Sequence, residues 1–111
     1  ELQRRLTGSG QGVLAVVAHP GWASTGLQGQ DGGSQLANRL FAQPQAMGAL
    51  PTLYAATAPD VVGGGYYGPS GLLELGGTPE RVLSNARSHD EQDARCLWDV
   101  SEELTGVKFR V

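Results

Sequence analysis

His19, Pro20, Gly21, Trp22, Ser24 and Thr25 stand together at the end of a six-residue apolar run, Val13-Leu14-Ala15-Val16-Val17-Ala18. An imidazole, two hydroxyls and a proline-glycine pair suit the contact of a ligand at the carboxyl end of a buried strand, because glycine lets a ligand approach the backbone closely. Elsewhere the groups that would react with such a ligand are scarce. His89 is far from His19 in sequence and is expected in the exposed first turn of a helix. His19 itself reads as a ring that hydrogen-bonds nearby backbone to shape the turn. Cys96, between Arg95 and Leu97, reads as packing, with no second thiol for a metal site. Ser24 and Ser70 lack a Gly-x-Ser-x-Gly context. Tyr54, Tyr66 and Tyr67 have no lysine four residues on, and the chain's one lysine is Lys108. Asp90, Glu91, Asp93, Asp99, Glu102 and Glu103 read as the solvated face of a last helix. No residue is assigned a catalytic or a metal-binding role.

The glycine clusters fail as free-standing phosphate loops on position. Thr7-Gly8-Ser9-Gly10-Gln11-Gly12 precedes a strand, whereas a dinucleotide fingerprint follows one and opens a helix. Thr25-Gly26-Leu27-Gln28-Gly29 has neither the glycine spacing nor an immediate helix. Gly63 to Gly65 leads into aromatic strand residues. All three are read as turns.

The elements that must hold the His19 to Thr25 segment are legible in outline. Leu2 and Leu6 share a helical face with Arg4 and Arg5 turned outward, and the run Gly8 to Gly12 stops that helix. The unalternated run from Val13 suits a strand covered on both faces, as in a parallel sheet flanked by helices. It is expected to span 13–19, since Pro20 cannot donate a ladder hydrogen bond and holds His19 extended. A turn and polar loop follow over 20–43, with a short amphipathic helix at Leu36, Ala37, Leu40 and Phe41. A second helix is predicted over 44–58, with Met47, Leu50, Leu53 and Tyr54 inward and a bend or early break at Pro51. A short strand is expected at 64–68, and Thr78-Pro79-Glu80 reads as the start of a helical turn. The terminal helix is predicted over 88–105, with Ser88 to Glu91 as a capping box, a stripe of Ala94, Leu97, Trp98 and Leu104, and Gly106 as its stop.

Size and charge set limits. At 111 residues, with 17 glycines and 6 prolines, the chain holds one small domain with a thin core. A formal charge of −3 without a basic run argues against nucleic acid. A lone cysteine fits a reducing, cytoplasmic setting, and no apolar segment approaches the roughly 20 residues of a membrane span. The chain opens at Glu1 inside a helical pattern without a capping residue, so a longer protein is expected to continue upstream.

His19-Pro20-Gly21-Trp22-Ala23-Ser24-Thr25 resembles the Pro-Gly-x-x-x-Thr segment of short-chain dehydrogenases/reductases, and its place in the chain matches too. Gly48-Ala49, Leu53 to Thr57, Gly64-Gly65-Tyr66-Tyr67 and Leu97-Trp98-Asp99-Val100-Ser101-Glu102-Glu103-Leu104-Thr105-Gly106 are similar to the retinol-dehydrogenase-like branch. The resemblance covers essentially the whole chain but less than half of a complete member. It implies an α/β fold, the carboxyl-terminal part of a doubly wound, Rossmann-type parallel sheet with two short strands and about three helices, incomplete as it stands. It also implies NAD or NADP as cofactor, with Pro20, Gly21 and the Trp22 backbone beside the nicotinamide and Thr25 hydrogen-bonding it. Trp22, Leu27 and Phe41 would wall a small apolar alcohol or carbonyl substrate. The family's glycine-rich Thr-Gly-x-x-x-Gly-x-Gly loop, its Asn-Ala-Gly segment, its catalytic serine and its Tyr-x-x-x-Lys pair have no counterpart in these residues.

The functional expectation is an NAD(P)-dependent oxidoreductase that interconverts an alcohol with a ketone or aldehyde by hydride transfer. These residues supply its nicotinamide-side turn and substrate cover and do not turn over alone. The rival is a non-catalytic truncated product or a fragment that docks to a partner, including self-association through unpaired strand edges. An independent small ligand-binding domain is the third reading.

Overall fold

A computed structural model describes residues 1–23 and 42–110 of the chain. They form two compact units, Glu1–Ala15 with Leu83–Val111, and Val16–Val82. The loop expected over 26–34 and the short helix at Leu36 to Phe41 lie outside the described residues.

The second unit is built on a three-stranded mixed sheet in the order β1 (Val17–Ala18), β2 (Tyr66–Pro69), β3 (Pro79–Arg81). β1 runs parallel to β2, with Val17 opposite Tyr66 and Ala18 opposite Tyr67. β2 and β3 are antiparallel, with Tyr67 opposite Arg81 and Pro69 opposite Pro79. A parallel pair needs a crossover between its strands, and the chain's first helix, α1 (Leu2–Ser9), precedes both of them. The crossover is α2 (Gln45–Thr57), which packs against all three strands.

The sheet differs from the expectation in three ways. A third strand exists, where Thr78-Pro79-Glu80 reads locally as a helical turn. Its Pro79 sits opposite another proline at the end of the ladder, where neither missing N–H interrupts pairing. β2 starts two residues late because Gly64 takes a left-handed φ of 74° and Gly65 N–H closes back on Val62 O at 3.1 Å. The apolar run 13–19 contributes only two residues to β1, and Val13, Leu14 and Val17 are 54%, 53% and 60% exposed. The reason is one-sided pairing: among the described residues β1 has a single neighbour, so its ladder extends no further than β2 does.

α2 turns inward the face that Met47, Leu50 and Tyr54 mark, all three half-buried, with Leu53 as the exception. Gly48 and Pro51 are the buried positions, while Leu53 is 56% exposed. A Cβ at Gly48 would stand 2.6 Å from the Ala23 Cβ, so the small residue permits close approach of helix and turn. The helix runs unbroken through Pro51, correcting the expected break. Pro51 has no N–H to give to Met47 O, and its ring instead fills the core.

In the first unit α1 (Leu2–Ser9) ends at Gly10, φ 69°, and buries Leu6. Glu1 takes hydrogen bonds from Arg4 Nε at 3.1 Å and Arg5 Nε at 2.9 Å. Arg5 does not simply face water, since its guanidinium lies 4.4 Å from the centroid of the Trp98 ring. α3 (Glu91–Thr105) is capped by Asp90, whose carboxylate accepts from the N–H of Gln92 and Asp93 at 2.8 and 3.0 Å. This corrects the expected Ser88 cap: Ser88 belongs to a preceding single turn, Ala86–His89, capped by Asn85. Gly106, φ 68°, ends α3 as its sequence requires. Of the predicted stripe, Ala94 and Trp98 are half-buried, whereas Leu97 and Leu104 are 68% and 81% exposed.

The Glu1 clamp yields a pH signature. Burial works upward on its carboxyl, but the hydrogen bonds and charges of Arg5 and Arg4 outweigh it and hold the group below its usual value of 4.5. A depressed carboxyl stabilises the fold above the unfolded value and ceases to as pH falls through the folded one. A carboxyl-carbon NMR titration is expected to find Glu1 ionised below pH 4.5, and Arg5→Ala should move its midpoint up. An unchanged midpoint would remove the clamp.

Candidate functional site

The carboxyl end of β1 delivers His19, Pro20, Gly21, Trp22 and Ala23 in sequence, and each is fixed by a different part of the second unit. His19 N–H donates to Tyr67 O at 2.9 Å, carrying the ladder one residue past β1. Pro20 ends it, as a residue without N–H must. Gly21 turns the chain with φ 67°. A Cβ there would meet Glu74 O and Pro69 Cγ at 2.7 Å and Leu75 O at 2.9 Å, so conformation and space both require glycine.

After the turn the backbone is clamped from two sides. Trp22 N–H donates to Leu75 O at 2.8 Å, and Trp22 O accepts from Gln43 N–H at 2.9 Å. Gln43 forms a parallel bridge with Ala23, which is 4% exposed. In that pattern the Ala23 amide and carbonyl point away from Gln43, because the bridge uses the oxygen of the preceding residue. The Gln43 side chain adds Nε2–H to Pro20 O at 2.7 Å and receives the Gly77 N–H on Oε1 at 3.3 Å. One glutamine thus joins the turn to the β2–β3 hairpin.

That hairpin loop is itself tightly made. Ser70 N–H bonds Thr78 O and Gly71 N–H bonds Gly76 O, both at 2.8 Å. Inside it Leu73 and Glu74 hold φ of 54° and 55°, a left-handed pair that costs roughly 1–2 kcal/mol per residue for side chains other than glycine. The strained pair places Glu74 Oε2 at 2.8 Å from His19 Nε2. This approach lies off the ring N–H axis, so it is a close polar contact and not an aligned hydrogen bond. On its other edge His19 Nδ1 accepts the Gly21 N–H at 3.3 Å. The ring stacks on Tyr66 at 5.0 Å between centroids, and a Cβ on Gly68 would collide with it.

Of the residues singled out from sequence, Pro20, Gly21 and Trp22 fall in this turn, while Thr25, Leu27 and Phe41 lie outside the described residues. Gln43 and Glu74 were not legible as partners. Gln43 carries the weak signal of a polar side chain just before Pro44, at the mouth of α2, and Glu74 carries none. Among the described residues no cluster of His, Cys, Asp or Glu could hold a metal ion, and no helix is long and apolar enough to cross a membrane. A recess in the first unit, lined by Asp99, Glu102, Glu103, Gly106 and Lys108, is a charged helix end.

No family model matches the chain. Retinol dehydrogenase 14 of Mus musculus is 35% identical over 96% of this chain and 31% of its own length. Its Homo sapiens counterpart is 34% identical over the same shares. The short-chain dehydrogenase/reductase pkfC of Emericella nidulans is 30% identical over 93% of this chain and 32% of its own. A crystal structure of an uncharacterized protein from Mycobacterium paratuberculosis superposes with a TM-score of 0.70 at 34% identity, covering 99% of this chain and 35% of that one. The chain belongs to the short-chain dehydrogenase/reductase family, and its helices and open mixed sheet are a partial α/β, Rossmann-like fold. It spans about a third of the length of the curated relatives it matches.

Gln43→Ala removes both side-chain hydrogen bonds and is expected to lower stability by about 1–2 kcal/mol in urea unfolding. Gly21→Ala adds a left-handed penalty to overlap with three atoms, and should cost more than about 3 kcal/mol. Wild-type stability in Gly21→Ala would show that the turn tolerates another shape.

Proposed function

We propose that this chain supplies the nicotinamide-side turn and the substrate cover of an NAD(P)-dependent oxidoreductase that interconverts an alcohol with a ketone or aldehyde. The observation that carries the reading is the clamped turn at the carboxyl end of a parallel strand, the place where open α/β sheets bind their ligands. When bound, the dinucleotide supplies the hydride that is exchanged with the substrate carbon.

The residues present fit the nicotinamide end of that cofactor. Pro20 and Gly21 would lie beside the nicotinamide. The Trp22 amide and carbonyl are engaged with Leu75 and Gln43, so this backbone sets the turn's position, and the Ala23 amide and carbonyl face the side away from Gln43. By the family resemblance Thr25 would hydrogen-bond the cofactor, and Trp22, Leu27 and Phe41 would wall a small alcohol or carbonyl substrate. The chain carries no counterpart of the family's Tyr-x-x-x-Lys pair, so the proton that balances hydride transfer has no donor here, and the chain alone does not turn over.

A second reading, docking to a partner that completes the sheet, is favoured by one observation: Val17 is 60% exposed on β1, whose second edge has no strand beside it among the described residues. A protected monomer in size-exclusion chromatography and hydrogen exchange would count against it.

Two mononucleotides test the main proposal. Reduced nicotinamide mononucleotide is expected to shift the amide NMR signals of Gly21 to Thr25, whereas adenosine monophosphate should leave them in place. Equal responses to both, or none to either, would overturn it. Carbonyl reduction by the purified chain with NADH or NADPH would overturn the claim that it does not turn over.

A further inference from the structure

We infer that Glu74 is a positioning residue for the Pro20–Gly21 turn, acting through His19 by fixing which ring nitrogen carries the proton. The turn's role in cofactor contact rests on the function proposed above, while the coupling of Glu74, His19 and Gly21 stands on geometry alone.

Gly21 N–H points at His19 Nδ1 from 3.3 Å, so Nδ1 must present a lone pair, and the neutral ring must carry its proton on Nε2. Nε2 is buried and has Glu74 Oε2 2.8 Å away. A bare, electron-rich Nε2 there would be repelled by the carboxylate, whereas an Nε2–H is attracted to it even off the N–H axis. The tautomer that Glu74 requires at one edge of the ring is therefore the one Gly21 requires at the other. The ring has little freedom to avoid this choice, since Tyr66 stacks on it and Gly68 leaves it only the space of a missing Cβ. Consecutive left-handed φ values at Leu73 and Glu74 then have a consequence: they set the carboxylate at Nε2 while the next residue's carbonyl, Leu75 O, takes the Trp22 N–H. One strained loop thus holds the turn by two routes, a backbone route to Trp22 and a side-chain route to Gly21.

The two routes can be separated by amide hydrogen exchange in the 111-residue chain, without cofactor. Glu74→Ala is expected to speed exchange at Gly21 about tenfold while Trp22 stays within twofold of wild type. Nitrogen-15 NMR of His19 should show the Nε2–H form in wild type and a shift towards the other tautomer in the variant. Glu74→Gln retains an oxygen for the Nε2–H and is expected to preserve both readouts. His19→Asn places an amide oxygen near the position of Nδ1, and in that background Glu74→Ala should leave Gly21 unchanged. Equal acceleration at Gly21 and Trp22 would mean that Glu74 merely stabilises the loop and would overturn the inference. So would no acceleration at Gly21, or the same acceleration in the His19→Asn background. Coupling observed in a chain that ignores reduced nicotinamide mononucleotide would retain this inference and sink the proposed function; the opposite pair of results would do the reverse.

Discussion

Tyr67 is 2% exposed, and the second unit closes around it through both its backbone and its ring. Its carbonyl takes the His19 N–H, and its hydroxyl accepts the Val62 N–H at 2.9 Å. Its ring lies 5.8 Å from that of Tyr54 on α2. Burial of an aromatic side chain of this kind contributes about 2–3 kcal/mol, and here it also connects elements. Gly65 leaves room for the ring, since a Cβ there would stand 2.7 Å from Tyr67 Cε2. The phenol of Tyr54 is bound in turn by Asp60 at 2.5 Å, a bond that raises its pKa, with burial adding to the effect. With a central strand so placed, β1 and β3 follow as its two neighbours, and the end of β1 is brought to the hairpin loop.

The candidate site depends on that meeting more than on any residue of the turn. Pro20 and Gly21 permit a sharp change of direction, but permission alone does not select a shape. Selection comes from Leu75 O, from the two ends of the Gln43 side chain, and from the ring of His19 between Glu74 and Gly21. The left-handed strain at Leu73 and Glu74 is held by the hairpin's paired ends, Ser70 with Thr78 and Gly71 with Gly76. Rigid support of this kind is what a turn needs if it is to hold one face of a ligand in register.

The exposed apolar residues fit membership of a family whose curated relatives are about three times as long. Val13, Leu14 and Val17 are of the type and spacing that suit a strand with neighbours on both sides, yet β1 pairs only with β2 among the described residues. In the first unit Arg5 of α1 lies over the Trp98 ring of α3, and the Trp98 indole N–H donates to Glu102 of the same helix at 3.0 Å.

By itself the sequence determined the family, the place of the turn, the helices near 2–9, 45–57 and 91–105, and the glycine stops within Gly8 to Gly12 and at Gly106. Each of these rests on local physics: proline without an N–H, glycine at positive φ, apolar spacing of three to four. Tertiary structure alone decided the rest. Pairing partners set the two-residue length of β1 and made a strand of Pro79–Arg81, whose local sequence favours a turn. Close approach put Gly48 against Ala23, where the helix has no room for a larger group, and left Leu53 outside the buried face of α2. The supports of the turn, Gln43 and Glu74, lie over 20 and over 50 residues from it in sequence, and no local pattern marks a side chain whose partner is supplied by a distant fold of the chain.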